Sequence, residues 1–141
     1  MPDEAHIDVG AISNSRIPSI MTEASVALFP NRCEGGTNLV AMEAMASGIP
    51  CILSANTGHL DIITDTNCYP LHQQNPSPSE IDTTGVWGES DIYEIDAYLE
   101  TIYQDTYSAR RLGRAGAAFM RKLSWKNQTE CLVHELKEFM D

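Results

Sequence analysis

The run from Ala24 to Ser54 constrains this chain more than any other part, because it spells a strand, a tight turn, a helix and a second strand in immediate succession. Ala24 to Phe29 is a short apolar run, as a strand buried on both faces requires. Pro30 closes it, and Gly35-Gly36 lets the backbone approach a ligand closely. Thr37 or Asn38 can then cap a helix over Leu39–Ala46, which Gly48 and Pro50 bring to an end before the next strand, Pro50 to Ser54. The first amides of such a helix have no partner inside it and carry partial positive charge. A phosphate or carboxylate is therefore the natural ligand of this turn.

The flanking sequence extends the same pattern. His6 to Val9 is a strand candidate ended by Gly10, and Ser13 or Ser15 can cap a helix from Ile17 to Ala24. After the second strand come a loop, Ala55 to Gly58, a short helix to Ile63 and a last short strand over Cys68–Leu71. From His72 to Ser90 the composition turns to Pro, Ser, Gln and Gly, which predicts an irregular surface loop. Residues 91–141 predict three amphipathic helices. Ile92, Ile95, Leu99 and Ile102 line a face of the first, Ala109, Leu112, Gly116 and Phe119 a face of the second, and Trp125, Thr129, Leu132, Leu136 and Phe139 a face of the third. Alternating strands and helices predict an α/β fold: a Rossmann-like parallel sheet with helices on both faces and a helical C-terminal segment, in a single domain over 1–141. Ligands of such sheets bind beyond the carboxyl ends of the strands, so Gly10–Ser15, Asn31–Asn38 and Ala55–Gly58 are the candidate binding loops.

Charge narrows the partners. A net charge of −11 leaves no basic patch for nucleic acid or an anionic membrane, and up to Asp105 the only cationic side chains are Arg16 and Arg32. No run is long and apolar enough to enter a membrane. Four cysteines without C-x-x-C or zinc-type spacing read as reduced thiols of a cytoplasmic protein, with Cys51 and Cys131 as small core residues.

The run Pro30 to Pro50 closely resembles the donor-binding signature of the retaining glycosyltransferases of GT-B fold, group 1 family: a strand ending in Pro, then Glu-Gly, then a helix carrying Glu-Ala-Met-Ala-x-Gly-x-Pro, here Glu43 to Pro50. Ile52–Ser54 with Thr57-Gly58-His59-Leu60-Asp61-Ile62-Ile63, and later Leu123-Ser124-Trp125, are similar to that family's next strand and helices. The resemblance implies the C-terminal, nucleoside diphosphate sugar-binding part of an enzyme that transfers a hexosyl unit to an acceptor hydroxyl with retention. It implies that Glu43 accepts hydrogen bonds from the donor ribose, that Glu34 lies beside the transferred sugar as the catalytic candidate, and that Gly35, Gly36, Thr37, Asn38 and Leu39 cradle the diphosphate. No cofactor or metal is expected, since the family typically needs none and the sequence has no Asp-x-Asp pair.

The residues alone leave alternatives open. Glu43, the only charge in Leu39–Ala46, either binds a ligand or points to solvent. Glu34 either meets the sugar or only stabilises the helix start; it lies nine positions before Glu43, where the family spacing is eight, so the turn holds one extra residue. Arg32 either reaches a phosphate or is solvated, and for His59 and Trp87 a surface role and a hydrophobic plug are the expected parts. The family's Arg and Lys pair for the diphosphate and its acceptor-binding domain have no match in this sequence. The expected partners are thus a nucleoside diphosphate sugar and a separate acceptor-binding domain or second copy, recruited through an open sheet edge. The competing reading is a non-catalytic module of the same fold that binds a partner chain or itself.

Overall fold

Three short strands lie side by side in the computed structural model, which describes residues 10–77 and 87–140. They are β1 (Ala27–Phe29), β2 (Cys51–Ser54) and β3 (Tyr69–Leu71), all parallel in the order β1-β2-β3, with Leu28 opposite Ile52 and Leu53 opposite Pro70. The strand expected over His6–Val9 lies outside the described residues. All four residues of β2 are buried, as the central strand of a sheet covered on both faces must be.

Because strand side chains alternate, β2 feeds two cores. Cys51 and Leu53 join Ala41, Ala44 and Met45 of α2 (Leu39–Ala46) and Met120 of α4 (Thr106–Met120). Ile52 joins Leu71, Ala109 and two residues of α3 (Ile92–Gln104), Ile95 and Ile102. Each fully buried Ile or Leu contributes about 1.5–3 kcal/mol relative to exposure. Helix α4 serves both cores, Ala109 on one side and Met120 on the other. It lies close because Gly113 has no side chain: a Cβ there would strike the Gly48 carbonyl and stand 2.9 Å from the Ile49 carbonyl carbon. The resulting α/β arrangement, a parallel sheet flanked by helices, is the one the sequence predicts.

Four expectations need correction. β1 is not buried on both faces: Leu28 is 39% exposed, while Ala27 and Phe29 pack on the Met45 core. The first helix, α1 (Ile17–Met21), stops short of Ala24, and the Thr22 hydroxyl bonds the Ser19 carbonyl at 2.8 Å just beyond it. The segment 72–90 is not wholly irregular. Its ends form an antiparallel ribbon, β4 (Gln74–Pro76) with β5 (Gly88–Ser90), anchored to the sheet by Ser54 Oγ to Ser90 Oγ at 2.8 Å and by Gln74 Nε2, which donates to the Leu71 carbonyl at 2.8 Å. Lastly, Cys131 is not the core residue expected: it is exposed on α5 (Trp125–Met140), a helix that buries no residue and leaves Trp125 and Phe139 87% and 89% exposed. Cys51 is buried as expected, and so is Cys68; desolvation pushes both thiols up to about 12. No helix among the described residues is long and apolar enough to cross a membrane.

Candidate functional site

Beyond Phe29 the chain crosses the carboxyl end of the sheet as the turn Asn31–Asn38, and its neighbours grip it at several points. Thr57 Oγ1 accepts from the Glu34 N–H at 2.7 Å, the Gly58 N–H donates to the Glu34 carbonyl at 3.1 Å, and the Gly88 N–H donates to the Arg32 carbonyl at 2.9 Å. Asn56, only 7% exposed, donates from Nδ2 to the Asn31 carbonyl at 3.0 Å and to Gln74 Oε1 at 2.8 Å. The loop after β2 and the β4–β5 ribbon therefore form the floor of the turn. Gly58 lets it settle there: a Cβ on Gly58 would overlap the Gly36 carbonyl oxygen and stand 2.9 Å from the Glu34 carbonyl oxygen. Two of the three candidate loops are thus brought together. In the third, Ser13 and Ser15 bond each other at 3.0 Å.

The helix cap is decided by structure. Asn38 caps α2, its Oδ1 accepting from the Ala41 N–H at 3.1 Å, while the Thr37 hydroxyl is turned to the Met42 sulfur at 3.1 Å. Asn38 holds a left-handed backbone, φ +59°, which Asn tolerates better than most residues. Its Nδ2 lies 3.0 Å from His59 Nε2, and His59 Nδ1 lies 3.1 Å from the Ser54 carbonyl. His59 has no exposed surface, which overturns its expected surface role. Burial lowers its pKa, partly opposed by the Ser54 hydrogen bond and by the Glu34 charge. Among the described residues, the N–H groups of Gly35, Gly36 and Thr37 donate to no protein atom. They lie in the turn immediately ahead of the α2 cap, which puts unpaired donors beside a helix N-terminus, where anions bind.

The remaining candidates sit around this turn. Glu34 is half-buried, with Asn31 Nδ2 3.4 Å from its Oε2. Glu43 is exposed on α2, and Leu39 is 71% exposed at its first position. Gly35 and Gly36 are exposed, with open space where a Cβ would stand. Arg32 is drawn away from the turn into a half-exposed pair with Glu89 at 3.2 Å, a contact worth about 0–1 kcal/mol. A concavity of about 690 Å³ lies at the other end of the strands, lined in part by Val26, Pro50, Ile102 and Arg110, away from the turn. No group of His, Cys, Asp or Glu side chains among the described residues converges as a metal site. The turn and the first part of α2 thus offer dipoles and two carboxylates, Glu34 half-buried and Glu43 exposed. Asn56, Thr57 and His59 were underrated in the sequence; the signal was their position, directly beyond the carboxyl end of a central strand.

Residues 4–80 match the family described as glycosyl transferases, group 1. Among solved structures, sucrose-phosphate synthase from Thermosynechococcus elongatus is 26% identical with a TM-score of 0.66, over 92% of this chain and 30% of that one. HepE of Anabaena, solved in complex with UDP, is 16% identical with a TM-score of 0.63, over 86% of this chain and 30% of that one. The second likeness is one of fold. The chain spans 30% of the length of each of these proteins. No curated protein sequence matches it.

Proposed function

The chain belongs to the group 1 glycosyl transferases of GT-B fold, and from that membership we propose that its Glu34–Asn38 turn and the start of α2 are the donor half of a retaining transferase site. The substrate class is a nucleoside diphosphate sugar, from which a hexosyl unit passes to an acceptor hydroxyl. The observation that carries this reading is the row of free amides at Gly35, Gly36 and Thr37, set at an Asn-capped helix start beyond the carboxyl ends of β1 and β2. Such preorganised donors stabilise the charge that develops on a departing diphosphate without needing to reorient. HepE, which has the same fold, was solved in complex with UDP, and a nucleotide ligand for this chain accords with that.

Glu43, exposed about one turn into α2, is assigned to the ribose hydroxyls, and Glu34 to the side of the transferred sugar. The extra residue of the turn fits this assignment. Glu34 is pinned by Thr57 and Gly58 and Asn38 by His59, so the added length is taken up in Gly35–Thr37, between two fixed points. No metal is invoked: the amides, with cations supplied by the remainder of a full transferase, carry the phosphate charge. The acceptor-binding groups are assigned to that remainder as well. Free thiols at all four cysteines suit a cytoplasmic location.

Titrating the chain with UDP and GDP tests the reading. Heat is expected for the wild type and weaker binding for Glu43→Ala; absence of binding up to about millimolar ligand, where the free energy would be weaker than roughly −4 kcal/mol, would refute it. The bare face of α5, with Leu132, Leu136 and Phe139 all more than half exposed, favours a companion role in association with a partner chain or second copy. Sedimentation of the chain alone tests self-association: a dimer supports it and a monomer rules it out.

A further inference from the structure

The buried imidazole beneath the turn has a defined job that the sequence motif does not assign. We propose that His59 is a positioning residue, locked as its Nδ1–H tautomer so that the Asn38 amide has a single orientation and the start of α2 is presented intact.

Three hydrogen bonds in series make the argument. The Ser54 carbonyl can only accept, so the ring nitrogen 3.1 Å from it, Nδ1, carries the proton. In a neutral ring Nε2 is then an acceptor, and the group it faces at 3.0 Å must be the NH2 of Asn38. That leaves Asn38 Oδ1 toward the Ala41 N–H, 3.1 Å away, which is the cap itself. Flipping the amide would set oxygen against the Nε2 lone pair and NH2 against the Ala41 N–H, losing both bonds together. The proton on one side of a buried ring is thus read out as the orientation of a cap on a helix 21 residues away in sequence. The ring has no exposed surface, so bulk solvent does not compete for either partner. Asn38 also holds its left-handed backbone, φ +59°, while its side chain is tied at both ends. The charged group acting on the ring is Glu34, across the turn; the directly bonded neighbours, Ser54 and Asn38, are neutral.

The relay concerns the turn that the donor reading uses, and its consequence for nucleotide rests on that reading, but its own test does not. In the full chain, imidazole nitrogen NMR should show His59 as the neutral Nδ1–H form, and an Nε2–H ring or a rapidly averaging one overturns the proposal. Asn38→Asp keeps a capping oxygen but turns a second oxygen toward Nε2. The His59 titration midpoint should therefore rise above that of the wild type, and an unmoved midpoint counts against the relay. His59→Leu should speed hydrogen exchange at the Ala41 N–H, whereas His59→Gln, whose amide oxygen reaches the place of Nε2, should restore protection. Equal exchange in all three proteins refutes the relay even if the Leu variant is too unstable for other assays. If the wild type binds UDP, His59→Leu should weaken binding by about tenfold, a change of about 1.4 kcal/mol, with His59→Gln close to wild type. If the wild type binds no nucleotide, the donor reading falls and the exchange and tautomer results still decide the relay.

Discussion

Replacing Gly58 by alanine drives a methyl group into the underside of the Asn31–Asn38 turn. The built Cβ overlaps the Gly36 carbonyl oxygen and stands 2.6 Å from the Gly36 carbonyl carbon and 2.9 Å from the Glu34 oxygen, all of them backbone atoms that no rotamer change can move aside. The turn must lift, at the cost of an overpacked contact, about 1–3 kcal/mol, and of the Gly58 N–H to Glu34 hydrogen bond, about 0.5–1.5 kcal/mol. Against this, a glycine outside the left-handed region gains about 0.4–1 kcal/mol on becoming alanine, because the unfolded chain loses freedom. The net loss is about 0.5–4 kcal/mol, which for a chain of this size lowers Tm by up to several degrees. Thermal unfolding followed by circular dichroism reads it directly. Gly35→Ala is the internal control, since nothing lies within 4 Å of its built Cβ and its backbone needs no glycine. If Gly58→Ala melts where Gly35→Ala does, the turn does not rest on Gly58 and the described floor of the site is wrong.

Further outcomes follow from the same contacts. Gly35→Ala itself should leave stability unchanged or slightly raised, since its Cβ meets open space, while the proposed donor site predicts weaker UDP binding from a methyl beside the amides; unchanged affinity by titration would remove Gly35 from the cradle. Gly113→Ala should destabilise by about 1–3 kcal/mol in urea unfolding, since α4 would have to back away from Gly48 and Ile49, and an unshifted midpoint would contradict that packing. Asp91 caps α3 by accepting from the Tyr93 and Glu94 N–H groups at 2.8 and 3.2 Å, so Asp91→Ala should lower stability by about 1 kcal/mol in the same assay. Burial holds the His59 pKa below its ordinary 6.5, so on acidification the unfolded chain takes up a proton that the folded ring refuses. Stability should therefore be unaffected by this group above about pH 7.5, fall as pH drops through 6.5, and stop falling below the folded value; urea midpoints of wild type and His59→Gln should converge in acid, and parallel curves would refute it.

The strand, turn and helix from Ala27 to Ser54 were legible in the sequence because each depends on near neighbours: an apolar run, two glycines, a polar cap and a Gly-x-Pro stop all act within a few residues. The three C-terminal helices were legible for the same reason, through their periodicity. The choice of cap was not. Thr37 and Asn38 are equally good candidates locally, and Asn38 takes the part because His59, brought beneath it by the loop after β2, engages its amide. The β4–β5 ribbon was hidden behind prolines, since its pairing and its anchors at Ser54, Asn56 and Leu71 all come from distant parts of the chain.

The amphipathic pattern of α5 marks the other boundary of what a sequence can say. Periodicity established that Leu132, Leu136 and Phe139 share a face, and the structure decided that no described residue covers it. Sequence by itself determined the order of the elements other than the β4–β5 ribbon, the family and the residue types at the candidate site, because these follow from local conformational preference and side-chain chemistry. Tertiary structure alone decided which loop supports the turn, which side chain caps α2, which proton the buried imidazole keeps and which apolar faces stay bare, because each depends on surfaces that meet only once the chain has folded.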